Sequence, residues 1–540
     1  MSLLRVDQLS PVDDSVVIQV ADLVDKSTGL SSSIVNMPSP DSRSLAEWSF
    51  DFVSVKKYGA KGDGVSDDTE AIQEALDKEE KVYFPPGIYI CGGAISTNDA
   101  VVIQGAGITF TELRFTGSTK GLQVNLSSSY KAFNISDLSI TTTGVPADKH
   151  SALTVNGVAQ FSGSADSLGR NILGNRTMKR GSIQRVDVRG VNVSTQAWGF
   201  GYKLTSVMNF HMSDISYSGL NGSTPYSGRA IVINGDGIPV DVSITRFWIY
   251  FAEMAIYAPD YVEGVHLSDF ELVNVTYGIY AGFYSSTESV VPSGATGALA
   301  FYIENGHINC RAMGVNLNNT NQDKIHDLLI YTTPTSSDSV GYGVRLVGGS
   351  NNKVHDIHVE LSNAANATSS NRGVLLEGIS YSSIHDISVN GLCQSALTIT
   401  GDSQNNVING ITGNNINYVI DEISGSNNNN QIGPNMGESY NTLQYYLPVS
   451  TANRINYQKV YYTGTLSVAS GIGTLTITPP RTLSARPPTV NVTMQYSTTN
   501  TLTGYYDYDN STPSSLLIRV RSSDVANAQT IRVCVEYPLT

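Results

Sequence analysis

The sequence predicts an all-β protein whose middle is coiled as a parallel β-helix. Three observations predict it. Only 15% of the 540 residues are charged, while Gly, Ser, Thr, Asn and Tyr are abundant, a balance that suits short strands and tight turns. A heptapeptide recurs at a nearly fixed step: "KIHDLLI" begins at Lys324, "KVHDIHV" at Lys353 and "SIHDISV" at Ser383, steps of 29 and 30 residues. No long helical period separates the short strands. Parallel strands need a crossover; with no helix to make it, the chain can only coil, each turn stacking on the last.

Taken in order, residues 1–45 form a separate piece. "SVVIQVADLVD" gives one strand and a turn, and "NMPSPDSRS" reads as a linker. The piece is too short for a core of its own. Residues 46–440 are assigned to the β-helix, which opens on "FVSVKKYGAKGDGVSDDTEAIQEALDKEEKVYFPPGIYI" from Phe52 to Ile90. Gly59, Gly62 and Gly64 fit neither the dinucleotide fingerprint nor a P-loop, and Gly64 and Val65 break an EF-hand counted from Asp63. The stretch reads instead as a capping helix near 68–78. Asp67 caps it, Glu70 completes a capping box, and Ala71, Ile72, Ala75 and Leu76 form the apolar face that plugs the first coil.

Weaker copies of the repeat are "NISDLSI" at Asn134, "HMSDISY" at His211 and "HLSDFEL" at His266. A second motif keeps nearly the same period: "MGVNL" at Met313, "YGVRL" at Tyr342 and "RGVLL" at Arg372. Asn351, Asn352, Asn405 and Asn406 suit tight turns, since Asn tolerates the left-handed region. Over 441–540 the period is lost. "GTLTITPP", "TVNVTMQY", "SLLIRVRS" and "TIRVCVEY" alternate, as in an antiparallel β-sandwich that would cover the open end of the solenoid.

The net charge of −14 comes with no basic block, which argues against nucleic acid as a partner. An acidic polymer would need local basic residues to bind. Cys91, Cys310, Cys393 and Cys534 lie far apart without CxxC spacing, so neither a zinc site nor a disulfide framework is expected. Residues 1–30, with Asp13, Asp14, Asp22 and Asp25, hold no apolar run long enough for a signal peptide, and no stretch reaches transmembrane length. No metal or cofactor motif is present, and no membrane association is expected.

"FVSVKKYGAKGDGVSDDTEAIQEAL" followed by "VYFPPGIYI" closely resembles the start of the pectate-lyase-like right-handed parallel β-helix superfamily, in the form found in bacteriophage tailspikes and capsule depolymerases. The resemblance is strong over about forty residues, and the coil repeats extend it. It implies a homotrimer attached to a phage tail or adaptor protein by its N-terminus, assembled in the host cytoplasm. Such a spike binds, and usually cleaves, a bacterial capsular or O-antigen polysaccharide, with the C-terminal domain serving trimerisation or carbohydrate binding. The polygalacturonase signature of this superfamily is missing: "NGHIN" at Asn305 keeps only Gly306 and His307. The start motif therefore carries the fold and no active site, and a cellular pectinolytic enzyme is disfavoured.

Glycoside hydrolysis needs two carboxyls, about 5–5.5 Å apart for retention or about 6.5–9.5 Å for inversion. The middle of the solenoid is richest in acids beside aromatics. Asp236, Glu253, Asp260, Glu263 and Glu304 are the catalytic candidates. Trp248, Tyr250, Tyr257, Tyr261, Tyr302 and His307 are the candidate sugar platforms. The alternative chemistry is β-elimination on a uronate, using His211 or His266 as base with Lys203, Arg229 or Arg246 as the carboxylate-holding cation. His326, His355 and His385 recur at the repeat period and read as a ladder at a turn. A spike that binds without cutting is the third reading.

Overall fold

The computed structural model describes residues 53–98, 102–126, 133–157, 181–222, 226–234, 240–259, 262–282, 299–334, 341–361, 371–423 and 429–433, apart from 118, 147–148 and 208, with further short segments between 436 and 537. The expected N-terminal piece over 1–45 lies outside the described residues.

The chain enters through a 3₁₀ turn, Val55–Tyr58, ended by Gly59 at φ 101°, which a side chain would strain. The helix follows at Thr69–Lys78, with Ile72, Ala75 and Leu76 buried in the same apolar cluster as the first coil. Its start differs from the expected capping box. Asp68, not Asp67, is the N-cap residue, and its carboxylate makes no cap bond. It is buried and turns back to accept the Lys61 and Gly62 amides at 2.7 and 3.0 Å, fixing the glycine turn. Asp67 accepts the Thr69 amide at 2.9 Å instead. Because the helix starts at Thr69, Glu70 falls one position short of the third helical residue that a capping box requires.

Beyond the helix the strands stack in two long parallel columns. One column runs through Asn134–Thr142, Gly181–Gly190, Phe210–Ser218 and Val240–Tyr250 into the first parts of Glu263–Ala281 and Leu299–Asn318. It continues through Lys324–Thr332, Lys353–Leu361 and the first part of Ser383–Thr400 to Val407–Glu422. The other contains Ser151–Asn156, Phe200–Thr205, Arg229–Asn234, Met254–Ala258, Tyr342–Val347 and Arg372–Glu377. The repeat seen in the sequence is the coil: Ile325 pairs with Val354, Val354 with Ile384 and Ile384 with Ile408. All four are fully buried, and each such side chain stabilises the fold by about 1.5–3 kcal/mol. Buried side chains from Val55 to Ile432 make one continuous core.

The turns between columns carry a second ladder. Asn351 and Asn405 sit at φ 60° and 58°, as expected of turn asparagines. Asn352 and Asn406 do something else: they are buried and link coils through their side chains. Asn352 Oδ1 accepts the Asp323 amide at 3.0 Å, Ser382 Oγ accepts the Asn352 amide at 3.0 Å, and Asn406 Oδ1 accepts the Ser382 amide at 2.9 Å. Asn430 Oδ1 extends the row by accepting the Asn406 amide at 3.1 Å. These side chains satisfy amides that would otherwise be buried without partners. Asp323 heads the row, accepting the Phe301 amide at 3.0 Å and the Thr320 hydroxyl at 2.5 Å. Burial pushes its carboxyl up to about 6.

From Gln458 onward pairing turns antiparallel, in a three-stranded sheet (Gln458–Leu466, Gln529–Tyr537, Asn491–Ser497) and a four-stranded sheet that includes Ile472–Ile477 and Leu516–Ser522. Cys91, Cys310 and Cys393 are buried thiols in no disulfide among the described residues, and Cys534 lies outside the residues whose side chains are described.

Two stability predictions follow from these contacts. Asp68→Ala removes the acceptor of the Lys61 and Gly62 amides and is expected to cost about 1–3 kcal/mol, read as a lower denaturation midpoint, whereas Asp67→Ala costs less. Asp323 is protonated more readily folded than unfolded, so its contribution is fully present below about pH 4 and is lost as pH rises through about 6. Holding the carboxyl at about 6, above its ordinary range, is worth about 3 kcal/mol. Asp323→Asn should flatten that part of the stability–pH curve between pH 4 and 7, as measured by thermal melts. An unchanged slope would contradict the assignment.

Candidate functional site: an acidic groove along the strand corner

Every strand of the first column has a residue of positive φ at one shared register position. In register these are Asp137, Arg185, Asp214, Arg246, Asp269, Asn305, Asp327, Asp356 and Asp386, at φ 50–63°, followed by Gly410 at 64°. Asp and Asn tolerate this conformation better than other side chains, which explains their share of the row. The bend interrupts simple alternation. In Lys324–Thr332, Ile325, Leu328 and Ile330 point inward, while Asp327 occupies the corner between them. The residue before the corner faces one side and the residue two after it faces the other.

The early part of the corner row is charge-paired. Arg185 makes a bidentate pair with Asp137 at 2.5 and 2.9 Å, and Arg246 does the same with Asp214 at 2.7 and 2.8 Å. These guanidinium bonds hold the carboxyls of Asp137 and Asp214 below the usual range. Arg246 also feels the charge of Asp269, whose carboxylate accepts the Asn305 side-chain amide. Further along, three aspartates stand in succession with no arginine between them. Asp327, Asp356 and Asp386 each take only the neighbouring imidazole: His326, His355 and His385 Nδ1, at 2.7, 2.7 and 2.8 Å. Their side chains are 60, 55 and 60% exposed.

A groove of about 790 Å³ follows this row. One wall is Asp269, Asn305, Asp327, Asp356 and Asp386; the other is Trp248, Glu271, His307, Leu329, His358 and Ser388. Phe270, Gly306, Leu328 and Ile357 line the bottom between them. Gly306 is required there, because a Cβ would lie 2.1 Å from the Phe270 ring. Trp248 is 40% exposed. Glu271 follows Trp248 in register, and its Oε1 lies 3.9 Å from His307 Nδ1. His307 packs edge-on against Tyr331 at 5.5 Å, and its Nε2 is buried with no hydrogen-bond partner.

The sequence-derived candidates are scattered by this geometry. Trp248 and His307 line the groove. Tyr250 is on the same strand face as Trp248, half-buried, and burial followed by the charge of Glu271 raises its hydroxyl pKa. Tyr302 and Glu304 lie on the opposite side of the corner. There Tyr302 stacks on His266 at 4.3 Å with Lys324 above it at 4.7 Å, and Glu304 reaches His326 Nε2 at 3.3 Å. Glu263 pairs with Leu299, while Glu304 pairs with Ser268, so the two acids are offset by five residues along the strands. Glu253 belongs to the second column, 3.7 Å from Arg229. Tyr257 is fully buried beneath that arginine, with 4.5 Å between guanidinium and ring centre, so it presents no platform to solvent. Asp236, Asp260 and Tyr261 lie outside the described residues. Of the possible lyase groups, Arg229 and Arg246 are held in ion pairs, Lys203 lies 5.9 Å from the Phe200 ring on the second column, and His211 and His266 are on the face away from the groove.

Asp269, Glu271, Asp327, Asp356 and Asp386 are groove residues that the sequence reading passed over. The signal was the Asp of the "IHD" repeat, which at one copy per coil must stack. His326, His355 and His385 form the expected ladder, with rings parallel within 1° and 4.9 Å apart, but it stands within the strands beside the corner and not at a turn.

Residues 52–279 match the family model described as "Rhamnogalacturonase A/epimerase, pectate lyase-like". The chain is similar to the preneck appendage protein of Bacillus phage PZA, 41% identical over 66 residues that make up 12% of this chain and 8% of that protein. It is also similar to a probable glucan endo-1,3-beta-glucosidase of Arthroderma benhamiae, 36% identical over 104 residues, 17% of this chain and 12% of that one. Among solved structures it is similar to bacteriophage CBA120 tailspike protein 3, with a TM-score of 0.46 and 16% identity over 78% of this chain and 64% of that one. The chain thus spans about one-twelfth of the phage relative it matches in sequence. Residues 52–279, which fold as stacked parallel coils, are thus similar to the pectate-lyase-like family over that span.

Proposed function

We propose that this chain is a tailspike-type protein that binds and shortens a bacterial surface polysaccharide, capsule or O-antigen, by glycoside hydrolysis in the corner groove. The groove itself carries this reading: an open trough across successive coils, with one exposed indole and carboxylates on both walls. Its length suits a polymer rather than a single sugar, and Trp248 offers a rigid apolar face for a sugar ring. The named relatives support it from outside, one a phage appendage and one a glucanase.

The pair we assign is Asp269 and Glu271. They flank the groove two residues apart on one strand, Asp269 at the corner and Glu271 on the opposite wall, and the assignment requires their carboxyls to stand in the inverting range of about 6.5–9.5 Å. Their surroundings differ, as two-carboxyl chemistry requires. Asp269 has the Asn305 amide and the charge of Arg246 beside it and serves as the base that activates water. Glu271 lies between Trp248 and His307 and serves as the acid that protonates the leaving oxygen. Attachment to a phage tail or adaptor through the N-terminal residues, and trimer assembly, belong to the same proposal.

Asp269→Asn and Glu271→Gln should each lower kcat about 10²–10⁴-fold with KM nearly unchanged, measured as loss of polymer length by size-exclusion chromatography. Glu253→Gln and Glu304→Gln, away from the groove, should leave turnover within a few-fold. Mass spectrometry of the products should give hydrated ends. Unsaturated ends would replace hydrolysis by elimination, and binding with no shortening would leave a receptor-binding spike.

A further inference from the structure

We infer that the polysaccharide held in this groove is neutral or carries free amino groups, and is not a uronate- or phosphate-bearing polymer. The inference rests on the corner groove being the glycan site. Five carboxylates line it: Asp269, Glu271, Asp327, Asp356 and Asp386. Among the described residues that line it there is no lysine or arginine, and the basic groups are His307 and His358. His358 is shared with Glu360 at 3.5 Å and His307 with Glu271 at 3.9 Å. The nearest corner arginine, Arg246, is tied to Asp214 by two hydrogen bonds.

The aspartates of three successive coils repeat about every 4.8 Å. A chain lying in the groove would therefore meet a carboxylate at nearly every step. An acidic group of a polymer in contact with the row would stand within the Debye length of about 8 Å at physiological salt, so its repulsion is not screened away. β-Elimination on a uronate also needs a cation against the substrate carboxylate, and no lysine or arginine among the described groove residues supplies one. The free lysines lie across the corner: Lys324 and Lys353 are exposed on the face that carries Tyr302 and the histidine stack. An anionic glycan would thus meet exposed lysine on the face without the groove, where Glu304 also lies.

The test uses the full chain and purified capsular polysaccharides of known repeat, grouped as neutral, amino-bearing and acidic, with chitosan oligosaccharides as an additional free-amino probe. Binding is read by affinity electrophoresis and cleavage by size-exclusion chromatography. Neutral or amino-bearing polymers should be retained and cut. Chitosan binding should weaken about tenfold from low to high salt as the charges are screened. Asp356→Asn with Asp386→Asn, which keeps residues that tolerate the corner, should weaken chitosan binding at least about fivefold, in proportion to the charge removed, with an unchanged melting curve. Cleavage of a polymer with an acid in every repeat overturns the substrate class but leaves the depolymerase intact. Chitosan binding that the double variant does not change also overturns it. No retention or cleavage of any class overturns both readings.

Discussion

The structure depends on register between coils. Each strand hydrogen-bonds to its equivalent one coil earlier, and side chains alternate between core and solvent, so a slip of one residue would put a whole row of aliphatics into water. The corner residue at positive φ strengthens this constraint. It is a landmark within each strand that only its counterpart can match, because the bend must stack on a bend. Asp137 to Gly410 therefore form one row through ten strands. The buried row from Asp323 to Asn430 is a second landmark at the turn, with side-chain carbonyls and hydroxyls closing the amides of the preceding coil.

Fixing register fixes chemistry. Once Ile325, Val354 and Ile384 are locked inward, the His after each must face one side and the Asp after that must occupy the corner. The repeat unit Ile-His-Asp thus writes three parallel rows: aliphatic inside, imidazole on one face, carboxylate on the groove edge. Repeating identical charges at coil spacing is unfavourable. In the early coils arginine alternates with aspartate and removes the cost. In the late coils each aspartate keeps only its own histidine and most of its exposure. The change from arginine-paired to histidine-bonded carboxylates lies at Asn305, whose amide still reaches Asp269. The groove opens across this change.

Much of the fold was legible in the sequence because it is written in periods. The 29- and 30-residue steps gave the coil, the aliphatic positions gave the core, and the glycine-rich opening gave the turn and helix at the entrance. The capping residue was misplaced by one, since Asp67 and Asp68 look alike in sequence and only burial tells which carboxylate folds back on the turn. The groove was less legible. Acids near aromatics were sought by local density, which favoured the stretch around Glu253 and Tyr257. There the tyrosine is core and the acid is engaged by Arg229. The carboxylates that line a common surface are spread from Asp269 to Asp386, with about one coil between neighbours in the later repeats.

The Asp of each repeat looked structural, and it is: it makes the corner. The same property gives it a position to act. A residue held at positive φ cannot follow the in–out alternation of its strand, so its side chain leaves the sheet at the edge where two faces meet. A fold that needs one such residue per coil necessarily builds an edge lined by small polar side chains. Glycine or asparagine would serve the bend equally well, as Gly410 and Asn305 do. Choosing aspartate at Asp327, Asp356 and Asp386 adds negative charge that the bend does not require. The geometry of the corner accounts for its conformation, and the glycan binding we propose for the groove gives a reason for its charge.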